Sequence, residues 1–171
     1  MDLIAADAPG VAGDFERRLE DLIPPAYRLA LGMLQDPSAA EDAVQEAALR
    51  AWQKASRLRP GSDPLPWFLA IVANQCRSTR RLRWWSVLKI EPPAPPAPAV
   101  EEQAVRGADL RRELLKLSRT DRLVVILSFY LDMPLEDVAR VAGLSLAGAR
   151  GRLYRAIRKL RPGLELEEAL R

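Results

Sequence analysis

Proline at 92, 93, 95, 96 and 98 within Glu91–Val100, EPPAPPAPAV, constrains this chain more than any other feature. Proline fixes φ and carries no amide donor, so the segment is expected to be extended, semi-rigid and outside any core. It divides the 171 residues into a unit spanning 1–90, a linker over 91–107 and a second unit spanning 108–171. Helical patterning on both sides predicts an all-α chain, two small helical domains joined by a tether. A proline-rich surface loop inside a single domain is the competing reading, although structureless loops of this length are uncommon in compact domains.

With 49% hydrophobic and 29% charged residues, the chain has the balance of a soluble globular protein. It contains no histidine, which excludes Ser-His-Asp and Cys-His nucleophile pairs, imidazole acid/base work and His-containing zinc sites. Cys76 is the single cysteine, so no internal disulfide can form and no thiolate metal cluster is available. The longest apolar runs, Leu69–Ala73 and Leu123–Leu127, are far too short to span a bilayer, and MDLIAADAPG lacks the basic start of a secretory signal. These features predict a cytoplasmic protein with no catalytic residues, no metal, no cofactor and no membrane partner. Paired acids such as Glu41-Asp42 come with no glycine-rich phosphate loop.

In the first unit an amphipathic run from about Phe15 to Leu34 ends at QDPS, where Asp36 or Ser38 can cap a new helix, with Glu41 completing a capping box to Ser38. Ala40, Ala43, Val44, Ala47 and Ala51 follow the i, i+3, i+4 rule and mark its buried stripe, leaving Asp42, Gln45, Glu46 and Leu49 on an outer face. Residues 36–46 hold acids at 36, 41, 42 and 46 and no base. Such a face is either simple compensation of the helix dipole or a protein interface.

A Pro- and Gly-containing loop, RLRPGSDPLP, leads to a third helix, WFLAIVANQCRSTRRLRWW. Its first half, with Trp67, Phe68, Ile71 and Val72, reads as core. Its second half carries Arg77, Arg80, Arg81, Arg83 and Lys89 around Trp84-Trp85 with no acid. Cations among aromatics suit nucleic acid, by neutralising phosphates and stacking on unpaired bases. Favourable charge at a helix C-terminus, with the tryptophans as anchors, is the alternative.

The second unit carries helix-turn-helix grammar. A helix near Ala108–Leu117 and an apolar helix over Arg119–Leu131 precede Pro134, which starts a short helix through Ala142. Gly143 supplies the turn, and Ser145 caps a longer helix to about Arg161. Ala149, Leu153, Ala156, Ile157 and Leu160 form its buried stripe, while Arg150, Gly151, Tyr154, Arg155 and Arg158 face outward. Bases at 150, 152, 155, 158, 159 and 161 face no acid within that helix. Arginine on such a face can bond guanine in bidentate fashion in the major groove, and flanking cations hold phosphates.

SLAGARGRLYRAIRKLR resembles the recognition helix of extracytoplasmic-function (ECF) sigma factors, with Ser145, Ala149, Arg150, Gly151, Arg152, Leu153, Arg155 and Ala156 at the family's positions. DPSAAEDAVQEAALRAW is similar to the family's region-two signature, and PWFLAIVANQCRSTRR to its Trp-Leu…Asn…Arg helix. The resemblance implies a bacterial promoter-specificity subunit. Asp36, Glu41, Asp42, Gln45 and Glu46 would dock on the β′ clamp helices of core RNA polymerase, with further contact to β. Asn74, Arg77, Arg80, Arg81 and Trp67 would open and read the minus-ten promoter element, the loop of about 56–66 would hold a flipped-out base, and Ser145, Arg150, Gly151, Arg152, Tyr154, Arg155 and Arg158 would read the minus-thirty-five duplex. Many family members are held inactive by an anti-sigma partner. Ser78, Gly151 and Ala47-Ala48 depart from the common pattern and leave the promoter sequence open. A stand-alone helix-turn-helix regulator is the alternative function; it accounts for residues 109–171 and leaves the first unit unused.

Overall fold

The computed structural model describes residues 11–59, 61–86 and 110–160, with backbone alone for 11–14, 16 and 79–86. The expected linker, 91–107, lies outside the described residues, as do Trp84 and Trp85 as side chains. All regular structure among the described residues is helical. The first unit holds α1 (Val11–Leu34), α2 (Pro37–Gln53), a 3-10 turn (Ala55–Arg57) and α3 (Pro64–Ser86). The second holds α4 (110–116), α5 (Arg119–Val125) running into a π-helical turn (Ile126–Tyr130), α6 (Leu135–Ala142) and α7 (Leu146–Leu160).

Helix α1 passes through Pro24 and Pro25. Two amide donors are missing there, so the carbonyls of residues 20 and 21 lose their helical partners. The helix stops at Gln35, whose φ of 60° turns the chain. The Gln35 amide donates to the Leu31 carbonyl at 2.8 Å, and its Nε2 donates to the Gly32 carbonyl at 2.7 Å. Two of the carbonyls orphaned at the helix end are thereby satisfied.

Asp36 caps α2: its Oδ1 accepts from the Ala39 amide at 2.9 Å, with Pro37 at the first helical position. The capping box between Ser38 and Glu41 does not form, because the helix starts two residues before the position that pairing requires, and Glu41 falls beyond the first turn. Ala40, Ala43, Ala47 and Ala51 are fully buried, so α2 presents small side chains to α1 and α3. Phe15 anchors the unit, meeting Trp67 edge-on at 5.6 Å and Phe68 at 5.8 Å between ring centroids. Leu29, Leu69 and Val72 complete this part of the core.

In the second unit Ser118 caps α5, its Oγ accepting from the Asp121 amide at 3.1 Å. The expected helix over Arg119–Leu131 is present, but its last part widens into the π turn, which leaves Phe129 and Tyr130 largely exposed. The helix-turn-helix forms as its sequence predicts. Pro134 precedes α6, Gly143 takes the left-handed conformation at φ 69°, and Ser145 Oγ accepts from the Gly148 amide at 3.1 Å to start α7. Ala149, Ala156 and Leu160 are buried, and Leu153 and Ile157 are half-buried.

The two units pack on each other. Leu123, Val124, Ile126, Leu127, Val138 and Val141 belong to the same continuous apolar core as Leu29, Met33, Phe68 and Val72. A smaller cluster of Leu117, Val125, Ala156 and Leu160 fastens α7 to α5.

Candidate protein and nucleic-acid interfaces

Three surfaces carry the residues singled out by sequence. The first is the outer face of α2. Asp42, Gln45, Glu46 and Leu49 stand at i, i+3, i+4 and i+7, and together with Gln75 from α3 they line one shallow cleft. Leu49 is 50% exposed, and Trp52, on the same side of the helix one turn on from Leu49 and two from Gln45, is 56% exposed. The face is therefore acidic along its first turns and ends in exposed apolar side chains. Glu46 pairs with Arg50 at 2.8 Å, a half-exposed contact of little energetic weight. Glu41 is exposed at the rim, whereas Asp36 is committed to capping and does not line the cleft. Beyond the expected docking residues, Leu49 shares this face as helical register predicts and Trp52 extends it one turn further, whereas Gln75 joins only through the packing of α3 on α2.

The second surface is formed by α3 and the loop before it. Asn74 is exposed, and its Oδ1 accepts from Arg77 Nη1 at 2.9 Å. Arg77 and Ser78 form one wall of a cleft whose other wall is Arg119 and Thr120 of the second unit. Trp67 is half-buried against Phe15, so its ring supports the helix from within. Arg80 and Arg81 belong to α3 by backbone, and their side chains lie outside the described set. The loop encloses a pocket of about 100 Å³ lined by Leu58, Arg59, Gly61, Ser62 and Pro64, closed from α1 by Phe15 and Arg18. Asp63 holds the loop: its Oδ1 accepts from the Leu65 amide at 3.1 Å and from Arg18 Nη2 at 3.3 Å. The contribution of α1 was not legible in the loop sequence.

Cys76, next to these residues, is buried; desolvation pushes its thiol up to about 12, so it stays protonated and unreactive.

The third surface is α7. Arg150, Tyr154, Arg155 and Arg158 are exposed, with Arg158 6.0 Å from the Tyr154 ring centroid. Gly151 lies among them, and a Cβ added there would meet only Arg155 Nη1, at 3.9 Å. Ser145 serves as the cap described above. Arg152 differs from its neighbours. Its Nη1 donates to Asp121 Oδ1 at 3.0 Å, so one of the six bases does face an acid, contributed by α5. Burial would raise the Asp121 carboxyl, but the Ser118 side chain and the Arg152 guanidinium outweigh it and hold the group below its ordinary 3.8. Arg152 thus joins α7 to α5.

Among the described residues no helix is long and apolar enough to cross a membrane, and no cluster of three metal-ligating side chains occurs.

Residues 19–86 match the model for Sigma-70 region 2, and residues 108–160 match that for Sigma-70, region 4. The chain is 30% identical to RNA polymerase sigma factor CarQ of Myxococcus xanthus over 177 aligned positions, covering 98% of this chain and 92% of that protein. It is 28% identical to ECF RNA polymerase sigma factor SigL of Mycobacterium tuberculosis over 81% of this chain and 82% of that protein. It is 33% identical to the probable RNA polymerase sigma factor RfaY of Xanthomonas campestris over 75% of this chain, a match that spans 34% of that longer protein. Among solved structures, the sigma factor RpoE of Bartonella quintana, in complex with the anti-sigma factor NepR, superimposes with a TM-score of 0.74 at 26% identity over 91% of this chain and 99% of that one. With both sigma regions matched in order and a full-length relative at that identity, the chain belongs to the sigma-70 family, as an RNA polymerase sigma factor of the extracytoplasmic-function type.

Proposed function

We propose that this sigma factor docks on core RNA polymerase through the α2 face of Asp42, Gln45, Glu46, Leu49 and Trp52, with Glu41 at its rim, and that Gln75 extends the surface from α3. The β′ clamp helices are the docking partner, and β supplies further contact. Opening and reading of the minus-ten element fall to α3, with Asn74 and Arg77 joined by Arg80 and Arg81. The pocket between Leu58 and Pro64 takes an extruded base, since an extruded base exchanges lost stacking for contacts with a protein pocket. The minus-thirty-five duplex is read by Arg150, Gly151, Tyr154, Arg155 and Arg158 in the major groove. Ser145, Arg152 and Trp67 position these surfaces from behind. The chain supplies recognition and strand opening in the cytoplasm and leaves the chemistry to the polymerase. An anti-sigma protein is a further partner class, in keeping with the NepR-bound state of the RpoE structure.

One observation carries this reading: an acidic face ending in exposed apolar side chains and a cationic face stand on separate units of one chain. A stand-alone DNA-binding regulator would use only the second of them. Mixing the purified chain with bacterial core polymerase and measuring complex formation, then run-off transcription across a genomic promoter library, tests it. Initiation at a defined promoter set is the expected outcome. Failure to bind core from the source organism would leave the stand-alone regulator as the better account.

A further inference from the structure

A groove of about 350 Å³ lies where α1, α4 and α5 meet. Gly32 closes it from α1: a Cβ there would lie 2.7 Å from Ile126 Cδ1, so the bare backbone lets α5 come this near. The surface of the groove is mainly apolar. Half-buried Leu31 and buried Val125 line it, and Leu110, Phe129 and Tyr130 line it while staying exposed to water. Its charge is one-signed. Arg28 from α1 and Arg111 from α4 line the groove from different helices, and no acid does. Both guanidiniums are exposed, and among the described residues neither is paired with a carboxylate. An apolar strip with cations on two walls fits an amphipathic segment that carries acids beside its leucines.

Such a segment follows α7 directly. Residues 164–170 read LELEEAL, with three acids, no base and only good helix formers. At helical spacing Leu166, Ala169 and Leu170 share one side, with Glu165 and Glu167 on its two flanks. Pro162 and Gly163 mark a turn between this segment and α7. The starting point is beside the groove. Leu160, the last residue of α7, packs in one cluster with Val125, and Val125 also lines the groove, as does Leu114 packed on the same cluster. Residues 161–163 reach up to about 10 Å when extended, enough to turn back from Leu160. Seven helical residues then cover about 10 Å along the groove.

We infer that residues 164–170 seat in this groove of their own chain, with Leu166 and Leu170 on the apolar strip and the flanking Glu165 and Glu167 on Arg28 and Arg111. The seated segment covers Phe129 and Tyr130, which otherwise hold an apolar patch open to water. The contact belongs to the free chain and stands apart from the polymerase and promoter contacts proposed above.

Paramagnetic broadening in the full chain tests it. A nitroxide on Arg171→Cys sits off the apolar side of the segment, and buried, protonated Cys76 does not compete for the label. The amide signals of Gly32, Ile126 and Phe129 should then be broadened. Glu165→Lys with Glu167→Lys should lower the ratio of docked to free segment by about fivefold, and Arg28→Glu with Arg111→Glu in that background should restore it. A mixture of spin-labelled chain with isotope-enriched chain that carries no nitroxide should show no broadening. Sharp groove signals in the labelled chain, broadening that charge reversal leaves unchanged, or no recovery in the doubly reversed chain would overturn the proposal. So would broadening in the mixed sample, which would make a second copy the occupant.

Discussion

The acidic face of α2 and the basic face of α7 are both amphipathic helices with a one-signed outer surface, yet they distribute their charge differently. On α2 the acids that share the cleft, Asp42 and Glu46, line it with exposed Leu49, and the outlying Asp36 serves its own helix as a cap. On α7 the outer arginines are Arg150, Arg155 and Arg158, and Arg152 is held by Asp121 from a different helix. The sign of a residue shows which partner it suits; what sets Asp36 and Arg152 apart from the other charges is the amide and the carboxylate that hold them.

Reversing charge on α2 is the strongest way to test this contrast. Asp42→Lys with Glu46→Lys should weaken core polymerase binding by about 2–4 kcal/mol, the range of interface hot spots, while the affinity of the chain for duplex DNA stays unchanged. Pull-down titration against core polymerase, beside fluorescence anisotropy on DNA, reads the two effects separately.

On the other helix, Asp121→Ala should cost about 1–3 kcal/mol of folding stability in a denaturant titration. It leaves the partly exposed Arg152 without its carboxylate and removes the Asp121 side-chain bond with Ser118, while the Ser118 cap on the Asp121 amide stays. The pH dependence has a definite sign. Because Asp121 is held below its ordinary 3.8 in the folded chain, its contribution is full above the unfolded value and lost as pH falls through the folded one. The variant should therefore flatten the acid limb of the stability profile. An unchanged acid limb would mean that Arg152 is not anchored in solution.

Arg150→Ala and Arg155→Ala should each cost about 1–3 kcal/mol on the cognate duplex if they touch bases, or mainly reduce the salt slope if they touch phosphate. Arg152→Ala should fall chiefly on stability, and a double-mutant cycle with Asp121 should show coupling. The smallest effect is expected at Gly151. With open space around its Cβ position, Gly151→Ser should stabilise α7 by about 0.5 kcal/mol, as melting would show. An altered promoter preference in that variant would show that backbone approach at Gly151 matters to DNA reading.

Local rules made much of the molecule legible. The buried alanine stripe of α2, the Gly143 turn, the Ser145 cap and the outward arginines of α7 follow from helical period, left-handed backbone preference and capping chemistry, which act over a few residues. The start of α2 was open between Asp36 and Ser38, because both can accept the same kind of bond; the Ala39 amide goes to Asp36. Similarly, the π turn at Ile126–Tyr130 has no signature in an apolar run.

The sequence by itself determined the helical class, the helix-turn-helix and the sign of each surface, since these depend on spacing along one chain. Tertiary structure alone decided that Arg152 faces Asp121, that Gln75 joins the α2 face, and that Phe15 and Arg18 close the loop pocket. It also decided that Gly32 receives Ile126. Each of these pairs residues far apart in sequence, and a contact of that kind depends on how whole helices pack, which periodicity does not encode.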